Sequence, residues 1–336
     1  MSDSINNPDR PPDEVDQHRL ETDYAALTAE AGLLELADWT QIELIGADRA
    51  SFLHNICTNE MRKLPPGAGR EAFFLNAKGH VLGHAFVFAG ESSHLIFGSP
   101  GQNQRLMAHL DRYIIREDVQ LHDRTGEATA LLLAGPLATQ TLQSAVGPPL
   151  PTTLLSGIEA QIGGHNAQIQ AVDWAGPGSY LIQSAAADSR HIAQALHAAG
   201  ARPCGAPALE IVRIENGLPL YGRDISDRNL PQEVGRDDRA ISFVKGCYIG
   251  QETVARIDAL GHVNRLLTGI RIDGPMPPPE TTLTSDGQPA GELTSVTASG
   301  RLGAILALGY LRASHAASGT ALTCGDRAAV VVSLPL

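Results

Sequence analysis

Twelve consecutive residues, Lys245-Gly246-Cys247-Tyr248-Ile249-Gly250-Gln251-Glu252-Thr253-Val254-Ala255-Arg256, place a nucleophile, a cation and two glycines in one short stretch. Gly246 and Gly250 free the backbone for a tight turn, and residues 251–257 are good helix formers with an (i, i+4) Glu252–Arg256 pair. This spacing sets Cys247 just ahead of a helix N-terminus, whose exposed N–H groups favour a thiolate, and Lys245 adds to that field. Such a thiol serves as a nucleophile, an oxidisable group or a transient cluster ligand. The competing expectation is a small cysteine packed into a turn, because unpaired cysteines are among the most buried residues.

Other candidates carry weaker chemistry. Tyr221, Tyr248 and Arg256 suit stacking or polar contact along a ligand opening, or else packing between lobes. Glu233 follows a proline and reads as a positioned carboxylate or as a helix-start glutamate. His80 and His84 fall on one side of an extended strand but lack a third ligand, so no metal site is assigned. Gly222, Gly246 and Gly250 form neither a Gly-x-Gly-x-x-Gly turn nor a Walker sequence, which leaves nucleotide binding without support. Asp237-Asp238 between Arg236 and Arg239 reads as a solvated turn with local ion pairs.

The elements that must position these groups are legible in outline. Residues 1–18 carry prolines and charge without apolar periodicity and read as a disordered tail. Residues 22–37 have helical spacing, 41–45 alternate as a half-buried strand, and Asp48 is a natural helix cap. Two apolar runs at 72–74 and 81–88 flank Asn76-Ala77-Lys78-Gly79, a hairpin turn. Strands follow at 94–97, 128–133 and 180–183, with helices at 105–113 and at 189–199, the latter stopped by Gly200. Gly147 to Pro151 is a stiff break. Gly274-Pro275-Met276-Pro277-Pro278-Pro279 reads as a linker, and short apolar runs between glycine-rich turns after it suggest a small antiparallel barrel.

Composition narrows the classes. With 25 basic and 37 acidic side chains in 336 residues, the formal charge is −12, which argues against a surface built to neutralise phosphate and makes nucleic acid an unlikely partner. Hydrophobic residues at 43% and charged ones at 18% describe a globular protein. No apolar run approaches a membrane span and residues 1–18 lack the apolar core of a signal peptide, so no membrane partner and a cytoplasmic location are expected. The four cysteines, Cys57, Cys204, Cys247 and Cys324, have no paired spacing for zinc, a dithiol or a clustered four-cysteine centre.

The Lys-Gly-Cys-Tyr-Ile-Gly-Gln-Glu segment resembles the signature of the YgfZ-type folate-binding proteins, relatives of the glycine-cleavage T-protein. Arg213-Ile214-Glu215-Asn216-Gly217-Leu218-Pro219-Leu220-Tyr221-Gly222-Arg223-Asp224-Ile225 and Leu230-Pro231-Gln232-Glu233-Val234-Gly235 resemble the preceding blocks. Gly46-Ala47-Asp48-Arg49-Ala50-Ser51-Phe52-Leu53, Thr58-Asn59-Glu60 and Leu75-Asn76-Ala77-Lys78-Gly79 resemble the superfamily's opening. The resemblance implies an α+β fold: a T-protein-like ring of two α+β lobes with a C-terminal antiparallel β-barrel. Residues 19–127 with 203–268 would form the first lobe, 128–202 the second and 269–336 the barrel.

It also implies tetrahydrofolate or a derivative in a central opening, with Tyr221, Glu233, Gly246, Tyr248, Gln251 and Arg256 around it and Cys247 and Lys245 as the reactive pair. In the T-protein a hairpin strand carries a pair of aspartates, one of which assists aminomethyl transfer; the corresponding positions here are Gly83 and His84. Gly176-Pro177-Gly178-Ser179 stands where that protein has its pterin-gripping Gly-Glu-Asp-Gly. The departures favour a non-enzymatic accessory factor for iron–sulfur protein assembly or repair, with assembly or client proteins as partners. The alternatives are a tetrahydrofolate-dependent aminomethyl or one-carbon transferase and a tRNA-modification accessory protein.

Overall fold

The computed structural model describes residues 14–147 and 149–336. Helix α1 (Glu14–Ala29) leads into strand β1 (Gly32–Glu35). The helix expected over 22–37 is thus displaced: it starts earlier and stops at Ala29. The apolar run Leu33-Leu34-Glu35-Leu36 fits either periodicity, and Gly32 decides, because a Cβ there would lie 2.6 Å from Leu27 and 2.8 Å from Cys204. Residues 14–18 of the expected tail are helical, and residues 1–13 lie outside the described residues.

A first antiparallel sheet follows, from β2 (Thr40–Ile45), β3 (Gly69–Leu75), β4 (Val81–Ala89), β5 (Ser93–Gly98) and β6 (Gln120–Asp123), in the order β3-β4-β5-β2-β6. Helices α2 (Arg49–Ile56) and α3 (Asn103–Asp111) cover one face, where Phe52, Leu53, Leu106 and Leu110 meet Ile42, Leu44, Val87 and Ile96. Asp48 precedes α2 without capping it; its carboxylate instead accepts from the Asp118 N–H. The expected hairpin turn at residues 76–79 joins β3 to β4, which are paired antiparallel.

The second sheet holds β7 (Ala128–Ala134), β8 (Gly157–Ile162), β9 (His165–Val172), β10 (Ser179–Ala185) and β11 (Arg202–Pro203), ordered β11-β1-β7-β10-β9-β8. Helices α4 (Ala138–Val146) and α5 (Ala186–Ala198) cover its outer face through Leu142, Ile192 and Leu196. Its inner face supplies Leu34, Leu132 and Leu181 to a core shared with Trp39, Phe86, Phe88 and Phe97 of the first lobe. Strand β4 is buried almost throughout because both faces of its sheet are covered, so it reads as a continuous apolar run.

Helix α6 (Ala206–Glu215), α7 (Asp237–Ala240) and α8 (Gln251–Leu260) then cross back, with a 3-10 turn at Pro231–Val234. Six strands close the C-terminal barrel: β12 (Arg265–Ile272), β13 (Thr282–Ser285), β14 (Gln288–Ser299), β15 (Ala304–Arg312), β16 (Ala321–Cys324) and β17 (Arg327–Val332). The expected partition shifts in consequence. β1 and β11, placed wholly or partly with the first lobe, pair in the second sheet, and the barrel opens at Arg265 rather than at residue 269. The proline-rich stretch at 274–279 is a loop inside the barrel, between β12 and β13, not a linker between domains. Among the described residues no helix is long and apolar enough to cross a membrane.

Candidate functional site

The Lys-Gly-Cys segment is an irregular loop fastened to the end of α2. Lys245 is buried, and its ammonium donates to the carbonyls of His54, Cys57 (2.7 Å) and Asn59 (2.8 Å) while lying 4.8 Å from the Tyr248 ring centroid. Burial pushes its pKa below the ordinary lysine value. The His54 and Cys57 carbonyls are among those the end of α2 leaves without intrahelical partners, and Asn59 lies just beyond it, so Lys245 closes α2 rather than poising Cys247. The expected Lys245–Cys247 reactive pair is therefore corrected: Cys247 is a free, exposed thiol. Helix α8 begins only at Gln251, behind Gly250, so Cys247 stands four residues upstream of the helix start.

The remaining candidates do not converge. Gly250 (φ +80°) needs to be glycine, since a Cβ would meet the Asn76 carbonyl at 2.7 Å where α8 docks on the hairpin turn. Gly246 has no such constraint; its nearest neighbour would be His54 Nε2 at 3.9 Å. Tyr248 is buried among Phe73, Leu75, Val81 and Val234, so it packs rather than lines an opening. Glu233 is also buried. It accepts from the Leu230 N–H at 3.1 Å and pairs with Arg265 at 3.0 Å, joining the 3-10 turn to the barrel, so the simpler helix-start account holds. Gln251 opens α8, and Arg256 is exposed on it with no ion pair among the described residues, the expected Glu252–Arg256 pair included.

Tyr221 faces a substantial cavity. This space, about 550 Å3, is lined by Trp39, Leu132, Trp174, Glu210, Arg213 and Arg223 among others. Trp39 and Trp174 stack at 5.3 Å, Phe97 stacks on both, and Phe86 packs against Trp174 at 4.8 Å. Trp174 is 1% exposed, yet its Nε1–H has no partner among the described residues. Arg213 donates to Glu210, to Asp224 at 2.8 Å and to Ser295 at 2.7 Å. Burial disfavours its charge, but Asp224 and Glu210 outweigh that and hold its pKa above the ordinary value. Glu210 also pairs with Arg223 at 2.9 Å, which leaves a carboxylate held between two guanidiniums at the cavity wall. Residues 39, 132, 174 and 210 were not singled out in the sequence; that Trp39 and Trp174 are the chain's two tryptophans was the available signal.

Behind this wall lies a buried ionic cluster. Glu71 is fully buried and takes Arg236 through both oxygens, Arg239 Nε at 3.3 Å and His84 Nε2 at 2.7 Å, while Arg239 forks onto Asp173 at 2.9 and 3.0 Å. Burial alone would raise the Glu71 pKa; the Arg236 guanidinium and His84 reverse this and hold it far below the carboxylate range. Arg236 and Arg239 thus reach across to other elements instead of forming the local ion pairs expected with Asp237 and Asp238. Asp237 is half-buried beside Asp238 and Asp258, and burial with those neighbours pushes its pKa up to about 6. His80 Nδ1 meets the Asp227 carbonyl at 2.9 Å. Among the described residues no three His, Cys, Asp or Glu side chains are grouped to hold a metal ion.

Residues 8–245 match the GCVT N-terminal domain, and residues 265–336 match the glycine cleavage T-protein C-terminal barrel domain. The chain belongs to the glycine-cleavage T-protein family. It is 28% identical to an aminomethyltransferase of Geobacillus kaustophilus over 309 residues, 89% of this chain and 84% of the relative. It is likewise 28% identical over 307 residues to a putative chloroplastic transferase of Arabidopsis thaliana, 90% of this chain and 70% of that one. The T-protein fold is shared with the glycine cleavage system aminomethyltransferase T of Bartonella henselae, with a TM-score of 0.84 at 22% identity over 94% of this chain and 89% of that one. His84, at the position the resemblance set against a T-protein aspartate, is a buried partner of Glu71.

Proposed function

We propose that the interlobe cavity binds a tetrahydrofolate-type ligand and that the chain is a T-protein-like transferase of a one-carbon unit. The lining carries this reading: the mutually stacked indoles of Trp39 and Trp174, an indole N–H without a partner among the described residues, and the Glu210 carboxylate between Arg213 and Arg223. A reduced pterin presents an apolar ring face, ring N–H groups and an acceptor carbonyl. Trp39 and Trp174 suit the face, Glu210 the donors and Trp174 Nε1–H the acceptor. Arg223, 61% exposed, suits the glutamate tail. Bound folate supplies the carrier nitrogen for the one-carbon unit. The relatives named aminomethyltransferase and putative transferase support the transferase reading.

The carboxylate implied at the hairpin position is absent, since His84 does not line the cavity and its ring is engaged with Glu71. Glu210 is the carboxylate present at the wall, where it is held by Arg213 and Arg223 as an anionic acceptor for ligand N–H groups. Isothermal titration with tetrahydrofolate tests the pocket: the wild type should bind, and Glu210→Gln should bind about tenfold or more weakly, as expected for a lost charge-assisted hydrogen bond. Absence of wild-type binding would remove folate from the account. Formation of methylene-tetrahydrofolate from an aminomethyl donor tests the transfer step.

A second reading, an accessory factor for assembly or repair of iron–sulfur proteins, is favoured by Cys247, a free thiol exposed on a loop that does not line the cavity. Loss of iron–sulfur client activity in a deletion strain carrying Cys247→Ala, with folate turnover absent, supports that reading over the transferase.

A further inference from the structure

The ionic cluster behind the interlobe cavity has a second side. Arg236 and Arg239 also line a separate cavity of about 370 Å3, bounded by the turn after the 3-10 segment, by β12 and β17 of the barrel and by residues 333–335. It shares no lining residue with the interlobe cavity. Two glycines shape it: a Cβ at Gly217 or at Gly269 would stand 2.9 or 2.7 Å from Leu334, so their bareness seats Leu334 and sets Ser333 at the rim. Among the described residues that line this space, the two arginines carry the only charged side chains. Glu71 and Asp173, which pair with them, are not part of its wall.

Each guanidinium is pinned by its carboxylates and still has donors left. Glu71 takes Arg236 along one edge, through Nε and Nη2, and Arg236 Nη1 has no hydrogen-bond partner among the described residues. A guanidinium holds five N–H donors in a rigid plane, so this fork leaves Nη1 and the second Nη2 hydrogen available along another edge. Arg239 gives Nε to Glu71 and one hydrogen of each Nη to Asp173. The Arg236 side chain is 11% exposed, so its orientation is fixed before any ligand arrives. We propose that this cavity binds a small organic anion, a carboxylate or a phosphate ester, on the free edge of Arg236 with Arg239 beside it. Two parallel N–H donors on a planar cation match a carboxylate or phosphate, a cation would be repelled, and an apolar molecule would leave those donors unmet. Leu267 and Val331 supply apolar wall for the carbon part of the ligand. Because Glu71 and Asp173 balance the two arginines, binding rests on directed hydrogen bonds more than on net charge and is correspondingly modest in affinity.

The site stands apart from either reading of the interlobe cavity, since neither folate nor a client protein is needed to measure it. The test is equilibrium dialysis of the full chain against radiolabelled inorganic phosphate in one arm and radiolabelled malonate in the other, with potassium chloride holding the ionic strength constant. The wild type should bind saturably, a single molecule per chain, and where both probes bind each should displace the other. Binding of phosphate alone assigns the site to phosphate esters, and binding of malonate alone to carboxylates. Ser333 is exposed on the rim, away from the ionic cluster and without a hydrogen-bond partner among the described residues. Ser333→Asp should weaken binding about tenfold or more by like-charge repulsion, while Ser333→Asn, of the same shape without the charge, should bind as the wild type does. Arg236→Lys keeps the charge but loses the planar edge, and should weaken binding about tenfold. No saturable binding of either probe, or wild-type affinity in Ser333→Asp, would overturn the site. Arg236→Lys also disturbs the pair with Glu71; where it fails to fold, the wild type and the two Ser333 variants decide.

Discussion

The loop at residues 242–250 and the interlobe cavity solve opposite problems with similar residue types. In the loop a buried cation, Lys245, faces backbone carbonyls and leaves its neighbour Cys247 in solvent. At the cavity a buried cation, Arg213, faces Glu210, which lines the cavity, and the buried Asp224, so its charge bears on the cavity wall. A conspicuous charged motif can therefore be wholly architectural. A dispersed set with no local signature, Trp39, Trp174 and Glu210, can form the binding surface. What separates them is what each charge is paired with, because a saturated ammonium has no donor left for chemistry.

Breaking the cluster behind the cavity should have the largest effect. Glu71→Ala leaves Arg236 without its buried counter-ion and should cost about 3–5 kcal/mol in chemical denaturation. It should also weaken tetrahydrofolate binding, since Asp173 of the same cluster precedes the wall residue Trp174. Glu71 has a folded pKa below its unfolded value of about 4.3, so its stabilisation is complete above that pH and is lost as pH falls through the folded value. Glu71→Gln should therefore lose less stability than the wild type between pH 4 and pH 2, followed by circular dichroism.

Lys245→Met should come next, at about 1–3 kcal/mol, because buried carbonyls lose their donor. Tetrahydrofolate affinity should not change, and a fall in it would join the two regions that the structure separates. Glu233→Gln should cost about 1 kcal/mol or less, since its partner Arg265 is partly exposed and screened. Cys247→Ser should stay within about 0.5 kcal/mol of the wild type, as expected of an exposed side chain with no structural partner. A larger loss would place the thiol in the architecture after all.

The local elements were legible wherever one period dominated. The hairpin around residues 76–79 and the barrel's short apolar runs declared themselves through alternation and turn chemistry. The helix expected over 22–37 went astray because alanine and leucine satisfy both periods there, and only the approach of Leu27 and Cys204 to Gly32 selects the strand. The proline run at 274–279 misled for a related reason: prolines forbid helix, but a loop crossing between non-adjacent barrel strands meets that demand as well as a linker does. Site residues fared worse. Glu233 and Tyr248 were chosen for their chemistry, and burial assigned them to capping and packing.

By itself the sequence determined the family, the α+β and barrel architecture and the exposed cysteine's place on a glycine-flanked loop, because these depend on order and local pattern along the chain. Tertiary structure alone decided which charges are spent. Arg236 and Arg239 look like partners of Asp237 and Asp238 next to them, yet they neutralise Glu71 on β3 and Asp173 just past the end of β9. Lys245 looks like an activator of Cys247, yet it closes a helix almost two hundred positions away along the chain. Ion pairing and hydrogen bonding act over a few ångströms of space, and separation along the chain says little about which groups will share that space.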